Sequence, residues 1–408
     1  MFVFSLLFLS CDNGPQSKDS DSDSSHHQQF EDTSMANDDI AEWAIYIFMN
    51  GDNDLESYVF YDLNELEEVG SSEDVHVVVQ ADRSAQYWEG DGNWTEARRY
   101  YITQDDAPNE VSSTLIESIG EVDMGSATVL EEFLLWAYDA YPAKHIGVIF
   151  WNHGESWSKS LPPPYISWDE GSGNALSFAE GDVHAGLSPL VDRHGPIDLV
   201  GFDACYMSSW EVAHSLREHA LFMTAAETVV GMDGYHYPFI LESLIAEPQQ
   251  SPEQVAYLFA ESAGSFNGEW THAMLNLSAM GTLDSAINEV SDVFINDPSL
   301  SETFKQLRAQ SASADAQYHD YFLDLGSFGE QLQQSEEPAL SDAGDSITEA
   351  LGSIIGINYN NSPFDGIWGL SIFADSSGRW SDGYGDGAGA SWAQETRWDD
   401  WILSLEAK

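Results

Sequence analysis

The sequence predicts an α/β fold in which a largely parallel sheet is covered on both faces by helices. Apolar segments rich in β-branched and aromatic residues alternate with segments whose apolar residues recur at helical spacing. Each apolar segment ends in polar or small residues. The chain has 408 residues, 43% of them hydrophobic, and 14 tryptophans, which is enough to bury a sizeable core. Such alternation is typical of α/β folds.

Five segments are predicted as the strands of this sheet. They are residues 44–52, 75–82, 145–154, 198–205 and 220–227. Helices are predicted between them at residues 54–69, where apolar residues share one face, and at residues 126–140, where Ser126 is the candidate N-cap. Because parallel strands end at the same edge of a sheet, functional groups are expected at these strand ends.

The C-terminal part is predicted as a helical and strand extension of the same domain. A Ser-Pro pair starts a predicted helix over residues 251–266. Residues 281–355 are predicted to be mostly helical, with an interruption at 335–346. The apolar residues 366–375 are predicted to return a strand to the main sheet. Residues 40–408 are therefore expected to form one domain.

The N-terminal residues have the features of an export and tethering segment. Residues 1–11 end a short apolar run at Ser10-Cys11, and this pattern resembles a bacterial lipoprotein signal in which the cysteine is lipidated. A plain signal peptide and a misassigned start are the alternatives. Residues 12–39 are rich in Ser and Asp and predict a disordered linker. The chain is expected to be exported, either to the bacterial cell envelope through a lipid on Cys11 or into the medium.

The chain is strongly acidic. Its 13 Lys and Arg residues and 70 Asp and Glu residues give a formal net charge of −57. Such a surface repels nucleic acid and anionic membranes, so contact with a membrane is expected only through the lipid anchor. General solvation of the surface is the simpler explanation of this charge, and recruitment of basic substrates is the alternative.

Cys205 and His153 each follow a predicted strand. The segment VGFDAC ends at Cys205, and the segment VIFWNHG ends at His153-Gly154. If these strands are neighbours, both side chains emerge at the same edge of the sheet and can form a dyad. With Cys11 lipidated, Cys205 is the only thiol of the mature chain, and a lone thiol in an oxidising compartment is either buried or used. A structural cysteine is the competing interpretation of Cys205 taken alone.

A cysteine and a histidine in this arrangement can perform acyl transfer. The thiolate attacks an acyl carbon, and the imidazole acts as a base and then protonates the leaving amine. A helix starting after Cys205 is expected to lower the pKa of the thiol through the positive end of its dipole. The main-chain N–H groups of Gly154 and Cys205 are expected to form an oxyanion hole.

Several segments of the sequence are similar to segments found in one group of enzymes. They include WNHGESW (151–157), DLVGFDACYMSSWEVAHSL (198–216) and AAETVVGMDGYHYPF (225–239), and the match extends over residues 44–402. The motif order, His-Gly followed after about fifty residues by Asp-Ala-Cys, resembles that of the caspase-like cysteine peptidases. The sequences of the segments themselves resemble the clostripain family within that group. The resemblance implies a caspase-like three-layer α/β/α sandwich and peptide-bond hydrolysis through a thioester, with His153 and Cys205 as the dyad.

The resemblance also implies a preference for Arg or Lys before the cleaved bond. Asp203 matches the Asp of the family's Asp-Ala-Cys motif, and Asp233 matches an acidic position in the following loop, so both are expected in the specificity pocket. A buried carboxylate discriminates because a neutral side chain leaves it unpaired. Protein or peptide substrates with basic residues are the expected partners. The sequence departs from the family motif at Glu155, where a second glycine is common.

Processing and calcium dependence are two further properties of some clostripain-like enzymes. Lys159 is the expected cleavage point between His153 and Cys205, because its Ser and Pro neighbours predict an exposed loop; an uncut chain is the alternative. The chemistry itself needs no cofactor. Residues 51–54 and 381–389 place carboxylates beside glycines without the spacing of an EF-hand. Turn formation explains both segments, so calcium remains open and no metal ligand is assigned.

Two other functions remain open at this point. One is an inactive surface-binding lipoprotein on a peptidase scaffold, against which the presence of both His153 and Cys205 counts. The other is a cysteine hydrolase of related fold that acts on another amide or an ester. A thiol-reactive probe separates the first from an enzyme, and substrate profiling separates the second from a peptidase.

Overall fold

The computed structural model describes residues 40–157, 166–264, 271–313, 321–360, 364–375 and 383–406. The predicted signal segment with Cys11, the predicted linker 12–39 and the predicted processing residue Lys159 lie outside these ranges. Among the residues described, none of the helices combines the length and the apolar composition that a bilayer crossing requires.

The secondary structure alternates between strands and helices over most of the described chain. The strands are β1 (Ala41–Gly51), β2 (Val75–Arg83), β3 (Ala97–Tyr101), β4 (Thr114–Gly120), β5 (Ala143–Trp151), β6 (Ile166–Asp169), β7 (Asn174–Leu176), β8 (Ile197–Asp203), β9 (Ala220–Ala225), β10 (Thr271–Asn276), β11 (Phe322–Asp324), β12 (Ile355–Asn360) and β13 (Ser371–Phe373). The α-helices are α1 (Glu56–Val69), α2 (Ala127–Ala140), α3 (Asp182–His194), α4 (Trp210–Leu216), α5 (Tyr237–Ala246), α6 (Pro252–Gly264), α7 (Met280–Asn296), α8 (Ser301–Gln310), α9 (Leu325–Gln333), α10 (Pro338–Ile354), α11 (Ser391–Glu395) and α12 (Trp398–Glu406).

The central sheet has the strand order β12-β10-β9-β8-β5-β1-β2-β3-β4. Its centre, from β9 to β2, is parallel throughout and consists of the five strands predicted from the sequence. The edges are antiparallel, with β3 and β4 at one side and β10 and β12 at the other. The prediction of a largely parallel sheet is confirmed for the centre.

Helices cover both faces of this sheet and give it three layers. Side chains alternate along β1, so that Ile45 and Ile47 pack with α1, α5 and α6, whereas Tyr46 and Phe48 pack with α2 and α3. Both sets of side chains are fully buried. Because each face of the sheet is covered, the strands are apolar on both sides, which explains the continuous apolar runs in the sequence.

The C-terminal extension differs from its prediction in two respects. Residues 371–373 form β13, which pairs with β11 in a separate two-stranded sheet and not with the main sheet. The place beside β10 is filled by β12, and β13 instead lies against the segment that follows β8: the N–H of Ser371 donates to the carbonyl of Ser208 over 3.0 Å. The predicted interruption at 335–346 is also too long, because α10 begins at Pro338, a residue suited to the first turn of a helix.

Candidate active site

The strands β5 and β8 bring His153 and Cys205 to the same edge of the sheet. Trp151 and Asp203, the last residues of these neighbouring parallel strands, are paired in register. His153 and Cys205 each lie two residues beyond that pair, so both face the carboxyl edge. They line one cleft of about 250 Å³. The other lining residues are Leu55, Tyr58, Asp62, Trp151, Asn152, Asp203, Ala204, Val229, Val230, Gly231, Met232 and Gly234.

The loops after β5 and β8 approach each other closely at Gly154. A Cβ atom at this position would lie 2.4 Å from the carbonyl oxygen of Cys205 and 2.9 Å from Sδ of Met207, so only glycine permits the contact. The loop is also tied to β1, because Nδ2 of Asn152 donates to the carbonyl of Asn50 over 2.5 Å. The two residues that flank His153 are therefore fixed, Gly154 by close packing and Asn152 by a hydrogen bond.

The Cys205 thiol is stabilised in its neutral form. Burial raises its pKa to about 11, and the negative charges of Glu155 and Asp203 act in the same direction. The main-chain N–H of Val230 opposes this effect by donating to Sγ over 3.3 Å. The expectation that a helix lowers this pKa is wrong, because α4 begins only at Trp210 and burial dominates.

The imidazole of His153 is oriented by a carboxylate. Its Nε2 lies 2.8 Å from Oδ1 of Asp54, which follows β1. A carboxylate can only accept a hydrogen bond, so Nε2 carries the proton in this contact and Nδ1 is the ring nitrogen available as a base. The His153 side chain is 26% exposed and that of Asp54 is 65% exposed. The sequence analysis did not identify Asp54, although the segment GDND at a predicted strand end was noticed as a possible calcium loop.

Two carboxylates lie in the interior of the cleft. Oδ2 of Asp203 accepts hydrogen bonds from the N–H of Tyr235 at 3.1 Å and from the hydroxyl of Tyr237 at 3.0 Å. Burial raises the pKa of Asp203 to about 6. Asp62, on helix α1, accepts a hydrogen bond from Nε1 of Trp151 at 2.5 Å. Burial, and next the charge of Asp203, raise the pKa of Asp62 well above its ordinary value.

Comparisons with known proteins identify the family of this chain. The sequence model of the clostripain family matches residues 47–404. The chain belongs to the clostripain family. Clostripain from Hathewaya histolytica is 25% identical in an alignment of 250 residues that covers 57% of this chain and 47% of that protein. The chain therefore spans about half the length of this relative.

Solved structures of C11 cysteine proteases share the fold. A secreted C11 cysteine protease from Bacteroides thetaiotaomicron, in complex with an irreversible peptide inhibitor, gives a TM-score of 0.67 at 20% identity, over 88% of this chain and 100% of that one. An inactive zymogen C11 protease from Parabacteroides distasonis gives 0.63 at 16% identity, over 89% and 98%. These likenesses confirm the caspase-like α/β/α architecture predicted for this clostripain-family chain.

The structure separates the two predicted specificity residues. Asp203 lines the cleft, whereas Asp233 is exposed and is not among the lining residues. The charge of Asp233 still reaches the site, since it contributes to the raised pKa of Asp62 and of Glu65. Asp62 was missed from the sequence. The sequence feature that could have revealed it is its position: Asp62 is an acidic residue between Val59 and Leu66 on the apolar face of the predicted helix 54–69.

The predicted oxyanion-hole residues lie where the loops after β5 and β8 meet. Within the described ranges, the N–H groups of Gly154 and Cys205 do not donate to any main-chain carbonyl. Glu155, where clostripain-family sequences often have a second glycine, is buried and accepts a hydrogen bond from the hydroxyl of Tyr321 at 2.7 Å. This residue therefore joins the loop after β5 to the C-terminal extension.

The two segments considered for calcium have other roles or are incompletely described. Oδ2 of Asp52 accepts a hydrogen bond from the N–H of Gly171 at 2.8 Å, and Asp54 contacts His153. The second segment is described only from residue 383 onward. In the described part of the chain, no group of three or more His, Cys, Asp or Glu residues is arranged to hold a metal ion.

Proposed function

We propose that this clostripain-family chain is an exported cysteine endopeptidase that cleaves peptide bonds after Arg or Lys, with His153 and Cys205 as its catalytic dyad. One observation carries the proposal: the thiol and the imidazole line a cleft whose interior also holds two buried carboxylates, Asp62 and Asp203. The dyad supplies a nucleophile and a base. The carboxylates supply a negative environment for a basic side chain.

The reaction starts from a protonated thiol. Because burial raises the pKa of Cys205 to about 11, Nδ1 of His153 takes the thiol proton as Sγ attacks the substrate carbonyl carbon. The carbonyl oxygen becomes an oxyanion, which the N–H groups of Gly154 and Cys205 stabilise. The positively charged imidazole is stabilised by the Asp54 carboxylate, which already accepts the proton of Nε2 at 2.8 Å.

Proton return completes the cycle. The imidazolium gives its proton to the leaving amine, the C–N bond breaks and a thioester remains on Cys205. His153 then removes a proton from water, which attacks the thioester, and the acid product leaves as the thiol regains its proton. Every step uses the thiol, the imidazole and main-chain groups, so the proposal includes no cofactor, and a calcium effect is a separate measurement.

The substrate preference follows from desolvation. Asp203 is only 7% exposed, and a neutral side chain that fills the cleft would leave its charge without a partner. A lysine or arginine side chain supplies that partner. We assign Asp233 an outer role, attracting basic substrates from the exposed rim of the site.

Export, anchoring and processing complete the proposal. The segment ending at Ser10-Cys11 supports export with a lipid on Cys11, and the Bacteroides relative is described as secreted. The relative from Parabacteroides is described as a zymogen, which supports activation by cleavage after Lys159. N-terminal sequencing of the purified protein tests the processing step. A new terminus after Lys159 supports processing, and the absence of this terminus in active protein contradicts it.

The proposal is tested with fluorogenic peptides that carry Arg, Lys, Leu or Asp before the scissile bond. The chain from residue 40 is compared with its Cys205→Ala variant. Release confined to Arg and Lys and lost in Cys205→Ala is the expected result. Release after another residue, or from an ester alone, would contradict the basic preference and favour a different cysteine hydrolase. No labelling of Cys205 by a thiol-reactive probe even on prolonged exposure, together with no release with or without calcium, would favour an inactive binding scaffold.

A further inference from the structure

Asp62 is a buried acidic residue on the apolar face of helix α1. It lies on the face of α1 that packs on the sheet, where Val59, Leu63 and Leu66 are fully buried. The Asp62 residue is 4% exposed. An ionised carboxylate in such a position is unfavourable unless it is paired or hydrogen-bonded. Among the described residues, no Lys or Arg side chain forms an ion pair with it.

The contacts of Asp62 connect it to the catalytic strand. Its Oδ2 accepts the Nε1 proton of Trp151, and Trp151 is the last residue of β5, two positions before His153. Asp62 lines the same cleft as Cys205. The side chain is therefore held in a fixed orientation at the place where a substrate side chain would enter.

Asp203 lines the same cleft as Asp62. The N–H of Tyr235 and the hydroxyl of Tyr237 both donate to its Oδ2. The main chain at Gly234 packs directly against this carboxylate, because a Cβ at residue 234 would lie 2.4 Å from Oδ1 and 2.6 Å from Oδ2. Gly234 also has φ +53°, a conformation that favours glycine. Neither of these two side-chain and main-chain donors uses Oδ1, which is the oxygen that we consider for a substrate cation.

The acidic groups around Asp62 oppose its ionisation. They are Asp203 on β8, Glu65 on α1 and Asp233 in the loop before α5. Tyr237 on α5 faces the pair through its hydroxyl, which donates to Asp203. A cation placed between Asp62 and Asp203 would remove the repulsion and pair both charges.

We propose that Asp62 is a specificity-determining residue, and that Asp62 and Asp203 together bind the guanidinium of a substrate arginine more strongly than the ammonium of a lysine. This inference rests on the proposed cleavage after basic residues. A guanidinium is planar and presents five donors in a fixed fork, so it can bind two carboxylates at once. A lysine ammonium is a compact charge that approaches one of them more closely than the other.

The test compares Asp62→Asn with the purified wild-type chain on matched peptides that carry Arg, Lys or citrulline before the scissile bond. Asparagine keeps an acceptor for Trp151 and removes the charge. We expect kcat/KM for the Arg peptide to fall about 10- to 100-fold, the loss typical of a charged hydrogen bond, and the ratio of Arg to Lys cleavage to fall with it. The citrulline peptide, which is shaped like arginine without its charge, should lose little.

Glu68→Gln is the matched control. Glu68 lies on the same helix, is exposed and is not among the residues that line the cleft, so this variant removes the same charge without touching the pocket. Its Arg to Lys ratio should equal that of the wild type. If Asp62→Asn also keeps the wild-type ratio, Asp62 does not determine specificity and the inference is overturned.

Two further measurements separate the possible failures. Labelling of Cys205 by a non-peptidic thiol reagent, at equal rates in wild type and Asp62→Asn, shows that the variant is folded. Inhibition by n-butylguanidine should weaken in Asp62→Asn more than inhibition by n-pentylamine, and equal weakening would overturn the inference. If the wild type itself cleaves neither Arg nor Lys peptides, the proposed substrate preference fails, which is a result distinct from an unchanged ratio in the variant.

Discussion

Helix α1 carries three buried acidic residues, and two of them, Glu56 and Asp62, have opposite surroundings. Glu56, in its first turn, is fully buried and forms an ion pair with the equally buried Arg83, whose Nη2 lies 2.9 Å away. Its other oxygen accepts the N–H groups of Tyr87 and Trp88 at 3.0 and 2.8 Å. Asp62, less than two turns later, has one indole N–H and acidic neighbours. For Glu56 the chain itself supplies the cation, whereas the contacts of Asp62 include none.

This difference shows which acid is suited to bind a ligand. A buried carboxylate that already has a guanidinium partner has no capacity for another cation. A buried carboxylate that faces a cleft and other acids is stabilised when a cation arrives. Asp54 is an intermediate case, because its partner His153 takes up a proton in the proposed reaction. The comparison therefore distinguishes permanent, transient and substrate-supplied partners.

The largest effect is expected when the permanent partner is removed. Arg83→Leu leaves Glu56 buried without a cation, and the free energy of unfolding should fall by about 3–5 kcal/mol. Urea unfolding of the wild type and the variant measures this change. The ratio of Arg to Lys cleavage should stay unchanged, and a shifted ratio would show that the Glu56–Arg83 pair also shapes the specificity pocket.

A pH effect on stability should come from Asp203. Burial raises its pKa to about 6, so its contribution to stability is fully present below its unfolded pKa near 4 and is lost as the pH rises through about 6. Stability of the unliganded wild type should decrease over this window by on the order of 2–3 kcal/mol more than that of Asp203→Asn. Parallel unfolding curves at pH 4 and pH 7 for the two proteins would contradict this assignment.

Asp62→Asn should have the opposite sign to Arg83→Leu. Removal of an acid that is held in an apolar, negatively charged site should raise the free energy of unfolding at pH 7. At pH 4 the gain should shrink, because the unfolded carboxyl is then largely protonated as well. A loss of stability at pH 7 would place Asp62 with Glu56 as a structural residue.

The transient pair is tested with Asp54→Asn. The amide keeps the size of the side chain but cannot stabilise the imidazolium by charge, so kcat should fall by about tenfold, equivalent to about 1.4 kcal/mol. KM for the Arg peptide should change little, because Asp54 is not among the residues that line the cleft. An unchanged kcat, or a rise in KM alone, would exclude the positioning role.

The smallest effect is expected at the exposed acid. Asp233→Asn removes a solvated charge at the rim, so its effect on kcat/KM for Arg peptides should be below about 0.5 kcal/mol and should disappear at high salt. Measurements at low and at high ionic strength check this. A large, salt-independent loss would show that Asp233 enters the pocket when substrate binds.

The sequence predicted those features that local pattern determines. The central strands were predicted correctly because buried parallel strands are continuous apolar runs. That His153 and Cys205 share one cleft was predicted because polar residues follow two of these strands, and the dyad itself stays a prediction. Asp62 and Asp54 were missed because, in a chain with 70 acidic residues, a single carboxylate is taken as solvated. Their roles depend on neighbours far apart in the chain: Trp151 is 89 residues from Asp62 and His153 is 99 residues from Asp54.

Two other features depended on tertiary packing that no local pattern shows. The pKa of the Cys205 thiol is set by burial and by the carboxylates of Glu155 and Asp203, not by the helix that follows it. β13 was assigned to the main sheet because its residues are apolar, whereas the free edge it would have needed is covered by β12. In both cases the outcome depends on contacts between segments that are distant in the sequence.

The protonated state of Cys205 also gives the protein chemical durability. Peroxides and disulfides react with thiolates, and burial raises the pKa of the Cys205 thiol to about 11, so that the neutral thiol dominates at pH 7. Cys205 of the unliganded protein should therefore resist oxidation in an aerobic medium. Small alkylating reagents should modify it slowly for the same reason, and an electrophile carried by an arginine peptide should react much faster, since the bound peptide brings the carbonyl carbon and the base together.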